Sequence, residues 1–104
     1  DKSIPFKCGE CKDAVIVEDC ASACAVSNVL TGIAILGTSL VESHKKYINP
    51  YRKLYVALDP DATVNSFKIT NELRFHGFIN VHVKQIKDDL KYFSTKQIEK
   101  IFYG

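Results

Sequence analysis

Residues 54–61 read LYVALDPD, and this stretch decides the fold. Five hydrophobic residues run directly into two acids, Asp59 and Asp61, which flank a proline. An unbroken hydrophobic run of this length, bounded by polar residues, is typical of a strand buried on both faces of a parallel sheet. Residues 15–18, VIVE, repeat the pattern with one acid, Glu18. Because open α/β sheets place their sites at the carboxyl ends of strands, the two stretches predict an acidic site there.

The rest of the chain alternates between strand patterns and helix patterns. We predict strands at residues 14–17, 33–36, 54–58 and 78–83, and helices at residues 21–30, 41–48, 63–75 and from Ser94 onwards. Gly32 is expected to end the first helix, because glycine is common just after a helix C-terminus. Ser94 and Gln97 have the spacing of a capping box. Alternating units with short connections predict an α/β fold: a small doubly wound, Rossmann-like, four-stranded parallel sheet flanked by helices on both faces.

The bulk composition is that of one ordinary globular domain. The chain has 104 residues, 46% of them hydrophobic, and a formal net charge of +2. This length leaves no room for a second domain, and the near-neutral charge provides no overall basic field for nucleic acid. No apolar run approaches the roughly 20 residues that span a bilayer, and no signal-peptide pattern is present. We therefore expect a cytoplasmic protein without a membrane partner.

The four cysteines could suggest a zinc site. Cys8 and Cys11 have the spacing of half such a site, and Cys20 and Cys24 could supply the other half. The first predicted strand separates the two pairs, however, and zinc ligands all lie within about 2.3 Å of the metal. We therefore expect reduced thiols, with a metal at Cys8 and Cys11 completed from elsewhere as the alternative.

The topology predicts where the acids meet. In a small doubly wound sheet the first and third strands are neighbours, so Glu18 should face Asp59, with Asp61 one step along the same loop. Carboxylates in one place repel one another unless a cation lies between them, and Mg²⁺ prefers such oxygen ligands. Gly37 and Thr38 follow the second strand, where a glycine turn lets backbone N–H groups approach a phosphate. Helix capping is the alternative role for acids in these positions.

These residues, in this order, resemble the Toprim domain, a metal-binding catalytic module of primases, topoisomerases, certain nucleases and recombination proteins. The first motif of that family, a hydrophobic strand ending in Glu, is matched at Glu18. Its Asp-x-Asp motif is matched by residues 57–61, ALDPD, and the apolar strand and Gly-Thr turn of primases by residues 34–40, AILGTSL. Residues 87–90, KDDL, are similar to the Lys-Asp segment that follows the fourth strand. The resemblance covers about residues 12–102, a single Toprim domain within a larger protein.

The resemblance implies a role for each acid. Glu18 would be a general acid/base or a metal ligand near the reacting oxygen. Asp59 and Asp61 would hold Mg²⁺ or Mn²⁺ and, with Glu18, form the catalytic set. Asp88 would assist a second metal.

Within the family, the resemblance is greatest to the primases and primase-helicases of phages and bacteria. It implies nucleotidyl transfer in primer synthesis during DNA replication, with Gly37 and Thr38 binding substrate. The implied partners are DNA, RNA, nucleotides and a helicase or flanking domains, in the host cytoplasm if the protein is viral. Primases usually carry Gly and Asp where this chain has Asp19 and Ser22. A nuclease that cleaves phosphodiesters and a non-catalytic recombination or scaffold module therefore stay open as alternatives.

Overall fold

The computed structural model describes residues 5–35, 45–48 and 50–104. The strands are β1 (Phe6–Cys8), β2 (Asp13–Val17), β3 (Thr31–Ala34), β4 (Lys53–Val56) and β5 (Val81–Val83). The α-helices are α1 (Cys20–Ala25), α2 (Lys45–Ile48), α3 (Thr63–Phe75) and α4 (Thr95–Tyr103), with 3₁₀ turns at Pro60–Ala62 and Leu90–Tyr92. The protein is therefore an α/β protein whose sheet is flanked by helices.

The sheet has five strands in the order β1-β3-β2-β4-β5. The β2–β3, β2–β4 and β4–β5 pairs are parallel, and the predicted adjacency of β2 and β4 is confirmed. The prediction of a four-stranded, all-parallel sheet is wrong, because β1 adds an antiparallel edge on β3. Strand β1 has only three residues and is largely exposed, so it lacks the buried run that marked the other strands.

The central strands are buried on both faces, as expected of parallel strands between two layers of helices. Every residue of β2 is buried, and its side chains alternate between two hydrophobic cores. Ala14 and Ile16 belong to the core that contains Ile69 and Leu73 of α3. Val15 and Val17 belong to the other core, on the opposite face, which contains residues of α1 and α4: Ala23, Ile98 and Phe102. The arrangement is compatible with a Rossmann-like fold.

Gly32 does not end the first helix. Helix α1 ends at Ala25, and Gly32 lies inside β3. A Cβ atom at Gly32 would lie 2.3 Å from the carbonyl oxygen of Ala23, so a side chain there would collide with the backbone of α1. The glycine is therefore needed because helix and sheet approach closely, and not because a helix ends beside it.

The remaining helices agree well with the sequence pattern. Helix α3 has the predicted bounds, and the capping box of α4 is confirmed by reciprocal hydrogen bonds between Ser94 and Gln97. The predicted last strand is shortened to β5, and residues 36 and 41–44 of other predicted elements lie outside the described residues. Among the described helices, none combines the length and apolar character needed to cross a membrane.

Candidate functional site

Glu18 and Asp59 meet at the carboxyl edge of the sheet. Glu18 directly follows β2, and Asp59 follows β4 after two more buried residues. The strands are parallel neighbours in which Ile16 lies opposite Val56, so their ends reach the same place. The backbone N–H of Asp59 donates a hydrogen bond to Glu18 Oε1, with an N···O distance of 3.3 Å. Two acids 41 residues apart in sequence are thus brought together by the sheet.

The electrostatics of this pair are unfavourable. Burial, reinforced by the nearby charges of Glu18 and Asp89, raises the pKa of Asp59 from 3.8 to about 6. A hydrogen bond between the Asp59 and Asp89 carboxyl groups acts in the same direction, because it needs a proton on one of them. Asp19 adds a smaller repulsion. A carboxyl group surrounded by other acids in a sheet-edge cleft is a candidate for function.

Asp89, rather than the predicted Asp88, approaches Asp59. Asp88 is exposed, and its Oδ1 accepts the backbone N–H of Asp89 at 2.9 Å. Leu90 follows and is almost completely buried in the core, which holds this segment against the sheet. Lys91 lies 3.7 Å from Asp89 Oδ2 at the surface. Sequence reasoning missed Asp89, although the apolar Leu90 beside it was a usable signal.

Two other parts of the predicted site are Asp61 and the glycine turn at Gly37 and Thr38. Asp61 is exposed on the 3₁₀ turn Pro60–Ala62, which begins one residue after Asp59. The turn is held by the Ala62 N–H, which donates to the Asp59 carbonyl oxygen at 2.9 Å. Gly37 and Thr38, predicted to bind substrate, lie outside the described residues.

Asp19 has a structural task at the start of α1. Its Oδ1 accepts the backbone N–H of Ser22 at 2.8 Å, so Asp19 is the N-cap of the helix. Ser22 is buried. Asp19 therefore caps α1 and also contributes negative charge near Asp59.

A cavity of about 110 Å³ adjoins Asp59. Ser66 of α3 and Lys84 line it together with Asp59. Lys84 directly follows β5, which is parallel to β4 and has Val83 opposite Val56, so Lys84 comes to the same edge as the acids. Sequence reasoning missed this lysine, whose signal was its position immediately after a strand.

The donor set at this edge suits a hard cation held partly by water. Mg²⁺ usually binds through one or two carboxylates and keeps several waters or substrate oxygens. Glu18 and Asp59 are two such carboxylates. In the part of the chain that the structure describes, His, Cys, Asp and Glu side chains form no ready-made group of three that could hold a metal ion. Glu18 and Asp59 are thus the carboxylates at this edge that could contact a cation.

Comparisons of the chain with family models, curated proteins and solved structures found no match. The geometry and the sequence pattern are therefore the basis for assigning a function.

Proposed function

We propose that this domain is a metal-dependent nucleotidyltransferase of the Toprim class, acting in primer synthesis as in DNA primases. The residues assigned to the reaction are Glu18 and Asp59, with Mg²⁺ or Mn²⁺ as cofactor. Two independent lines support the proposal. One is the ordered set of motifs that resembles the family, and the other is the contact between these two acids across neighbouring parallel strands.

The observation that carries the proposal is the contact between Asp59 and Glu18 at the ends of neighbouring parallel strands, and the raised pKa of Asp59 supports it. A partly buried carboxyl group among other acids destabilises its own ionised form. A divalent cation reverses that penalty, because it attracts each carboxylate more strongly than the carboxylates repel one another. We therefore interpret this acidic cluster as a set of carboxylates that bind a metal ion.

The chain's own groups then have distinct tasks. When bound, the cation supplies a Lewis acid that polarises a phosphoryl oxygen. Asp59 would hold that cation, and its backbone N–H keeps Glu18 in place. Glu18 is half-buried, and one N–H bond occupies only one of the lone pairs of its carboxylate. The remaining lone pairs can accept the proton that an attacking hydroxyl loses. Lys84, beside the cavity, is positioned to attract a nucleotide phosphate.

The primary test is a Mn²⁺ titration followed by electron paramagnetic resonance. Glu18→Gln and Asp59→Asn should each weaken Mn²⁺ binding at least about tenfold, because each removes one charged ligand. Asp89→Asn should weaken binding by a smaller factor, and Asp88→Asn is its matched control on the adjacent residue. Equal binding by the wild type, Glu18→Gln and Asp59→Asn proteins would refute the metal site.

The reaction is tested separately. The domain is incubated with Mn²⁺, ribonucleoside triphosphates and single-stranded DNA, and both primer formation and DNA cleavage are measured. Primer formation that is lost in Glu18→Gln supports the proposal. Cleavage alone would make the site a nuclease, and Mn²⁺ binding without either reaction would favour the non-catalytic module.

A further inference from the structure

Two thiols from different elements meet beside the edge strand β1. Cys8 ends β1, and its register partner on β3 is Gly32. At Gly32 the backbone of α1 comes so close that a Cβ atom would lie 2.5 Å from the Cα of Ala23. The next residue of α1 is Cys24. The close approach that requires a glycine at position 32 therefore also places Cys24 next to Cys8.

The two thiols lie close together, and one of them is open to solvent. Interaction with the Cys8 thiol raises the pKa of the Cys24 thiol. Cys24 is exposed, whereas Cys8 is partly buried and packs against the core on the α1 side of the sheet. Cys20 lies one helical turn before Cys24 on the same face of α1. All four cysteines are free thiols in the structure.

We propose that Cys8 and Cys24 form a reversible intramolecular disulfide, with a low-molecular-weight disulfide such as glutathione disulfide as the oxidant. The geometry favours such a bond, because Cys8 lies opposite Gly32 and the backbone of Ala23, next to Cys24, packs against that glycine. Cys20 and Cys24 belong to the same helix, whereas Cys8 and Cys24 join two separate elements. The bridge would therefore fasten an exposed edge strand to a helix.

The exchange proceeds in two balanced steps. The Cys24 thiolate attacks one sulfur of glutathione disulfide, the bond between the two glutathione sulfurs breaks, and one glutathione leaves. The Cys8 thiolate then attacks the Cys24 sulfur of this mixed disulfide, and the second glutathione leaves. In total the two cysteines lose two protons and two electrons, and glutathione disulfide is reduced to two molecules of glutathione.

The bridge would connect β1 with the helix that follows the acidic site. Strand β1 has three residues and, among the described strands, pairs with β3 alone, so it is a short edge strand. Helix α1 begins one residue after its N-cap Asp19, which is adjacent to Glu18. Oxidation would thus stabilise the edge of the sheet, and this inference does not depend on the proposed function.

The test is oxidation of the intact chain with glutathione disulfide at pH 8.5, because alkaline pH increases the thiolate fraction that attacks the disulfide. We expect two of the four thiols to be lost and peptide mass spectrometry to find Cys8 joined to Cys24. Because the bridge would restrict the unfolded chain, the midpoint of thermal unfolding should rise by roughly 10 °C and return after reduction with dithiothreitol.

Matched variants identify the pair. Cys8→Ser and Cys24→Ser should lose the bridge and the gain in thermal midpoint, and the remaining partner should keep a bound glutathione instead. Cys11→Ser and Cys20→Ser should still form the bridge. Peptide mapping of the wild type does not depend on whether any variant folds. A bridge between another pair, a disulfide-linked dimer, or glutathione on separate cysteines without a bridge would overturn the proposal.

Discussion

Strand β2 has an acid at each end, and the two acids are in opposite electrostatic environments. Asp13, at its start, is 4% exposed and receives hydrogen bonds from Arg52 at 3.0 and 3.1 Å and from the Tyr103 hydroxyl at 2.6 Å. The Arg52 hydrogen bonds lower the pKa of Asp13. Glu18, just beyond the other end, contacts Asp59, whose pKa is raised to about 6 by burial and neighbouring acids.

Asp13 therefore stabilises the fold, whereas the repulsion between Glu18 and Asp59 destabilises it. Asp13 is neutralised by a cation on the neighbouring strand end and by a hydroxyl on α4, so it ties three elements together. The acids at the carboxyl edge are held together mainly by the topology of the sheet, and their repulsion weakens the fold. Sites that depart from the most stable arrangement are where function is expected.

Removing the Arg52 guanidinium group, which neutralises Asp13, should have the largest effect on stability. Arg52→Ala leaves a buried carboxylate without its partner, and we expect the midpoint of thermal unfolding at pH 7.5 to fall by roughly 10 °C. The pKa of Asp13 is lowered, so its stabilising effect exists above the usual Asp pKa and is lost as the pH falls through the lowered value. The deficit should therefore shrink below pH 3.8.

The double variant Asp13→Asn/Arg52→Ala provides the control. It removes the buried charge together with its partner, so it should be more stable than Arg52→Ala alone. A double variant as unstable as the single one would show that Arg52 stabilises the protein through packing and not through charge.

At the opposite end, removing a charge should stabilise the protein. In the presence of EDTA at pH 7.5, Asp59→Asn should raise the free energy of unfolding by about 2 kcal/mol, since an ionised Asp59 is less stable in the fold than in the unfolded chain. A raised folded-state pKa means that stability is lost as the pH rises from about 4 to about 6. The gain should therefore disappear near pH 4 in thermal unfolding measurements.

Asp61→Asn is the matched control, because Asp61 is exposed two residues away. We expect it to change the free energy of unfolding by less than about 0.5 kcal/mol at either pH. If Asp59→Asn were destabilising at pH 7.5, the contrast between the two ends of β2 would be wrong.

The smallest effect concerns the hydroxyl that completes the Asp13 network. Tyr103→Phe removes one hydrogen bond to a carboxylate that keeps its Arg52 contacts, so urea unfolding should show a loss of about 1 kcal/mol. Tyr92→Phe, at another exposed tyrosine, should have almost no effect. Equal losses in the two variants would show that the Tyr103–Asp13 hydrogen bond contributes nothing specific.

Of the two ends of β2, only the acids at the carboxyl edge could be predicted from the sequence. The hydrophobic runs before Glu18 and Asp59 predicted both buried strands and their adjacency, since a run buried on both sides needs a central place in the sheet. The Asp13 network could not be predicted. Arg52 and Tyr103 are 39 and 90 residues away from Asp13, and neither carries a local pattern.

The wrong predictions of secondary structure concern segments whose conformation depends on contacts with distant parts of the chain. Gly32 was predicted to end a helix, but it lies in β3, where the absence of a side chain lets the backbone of Ala23 approach closely. Strand β1 was missed because an exposed edge strand of three residues has no hydrophobic period to detect. The assignment of Asp88 to a second metal stays a prediction, and the structure adds that Asp89 lies near Asp59.

The sequence by itself determined which segments are buried, the bounds of α3, the capping box of α4 and the placement of acids directly after two strands. These features depend on hydrophobic period and on hydrogen bonds between near neighbours. Tertiary contacts alone place Asp59, partly buried, among other acids, neutralise Asp13 and bring Cys8 close to Cys24. A charge or a thiol acquires its chemistry from the groups that surround it, and those groups come from distant parts of the chain.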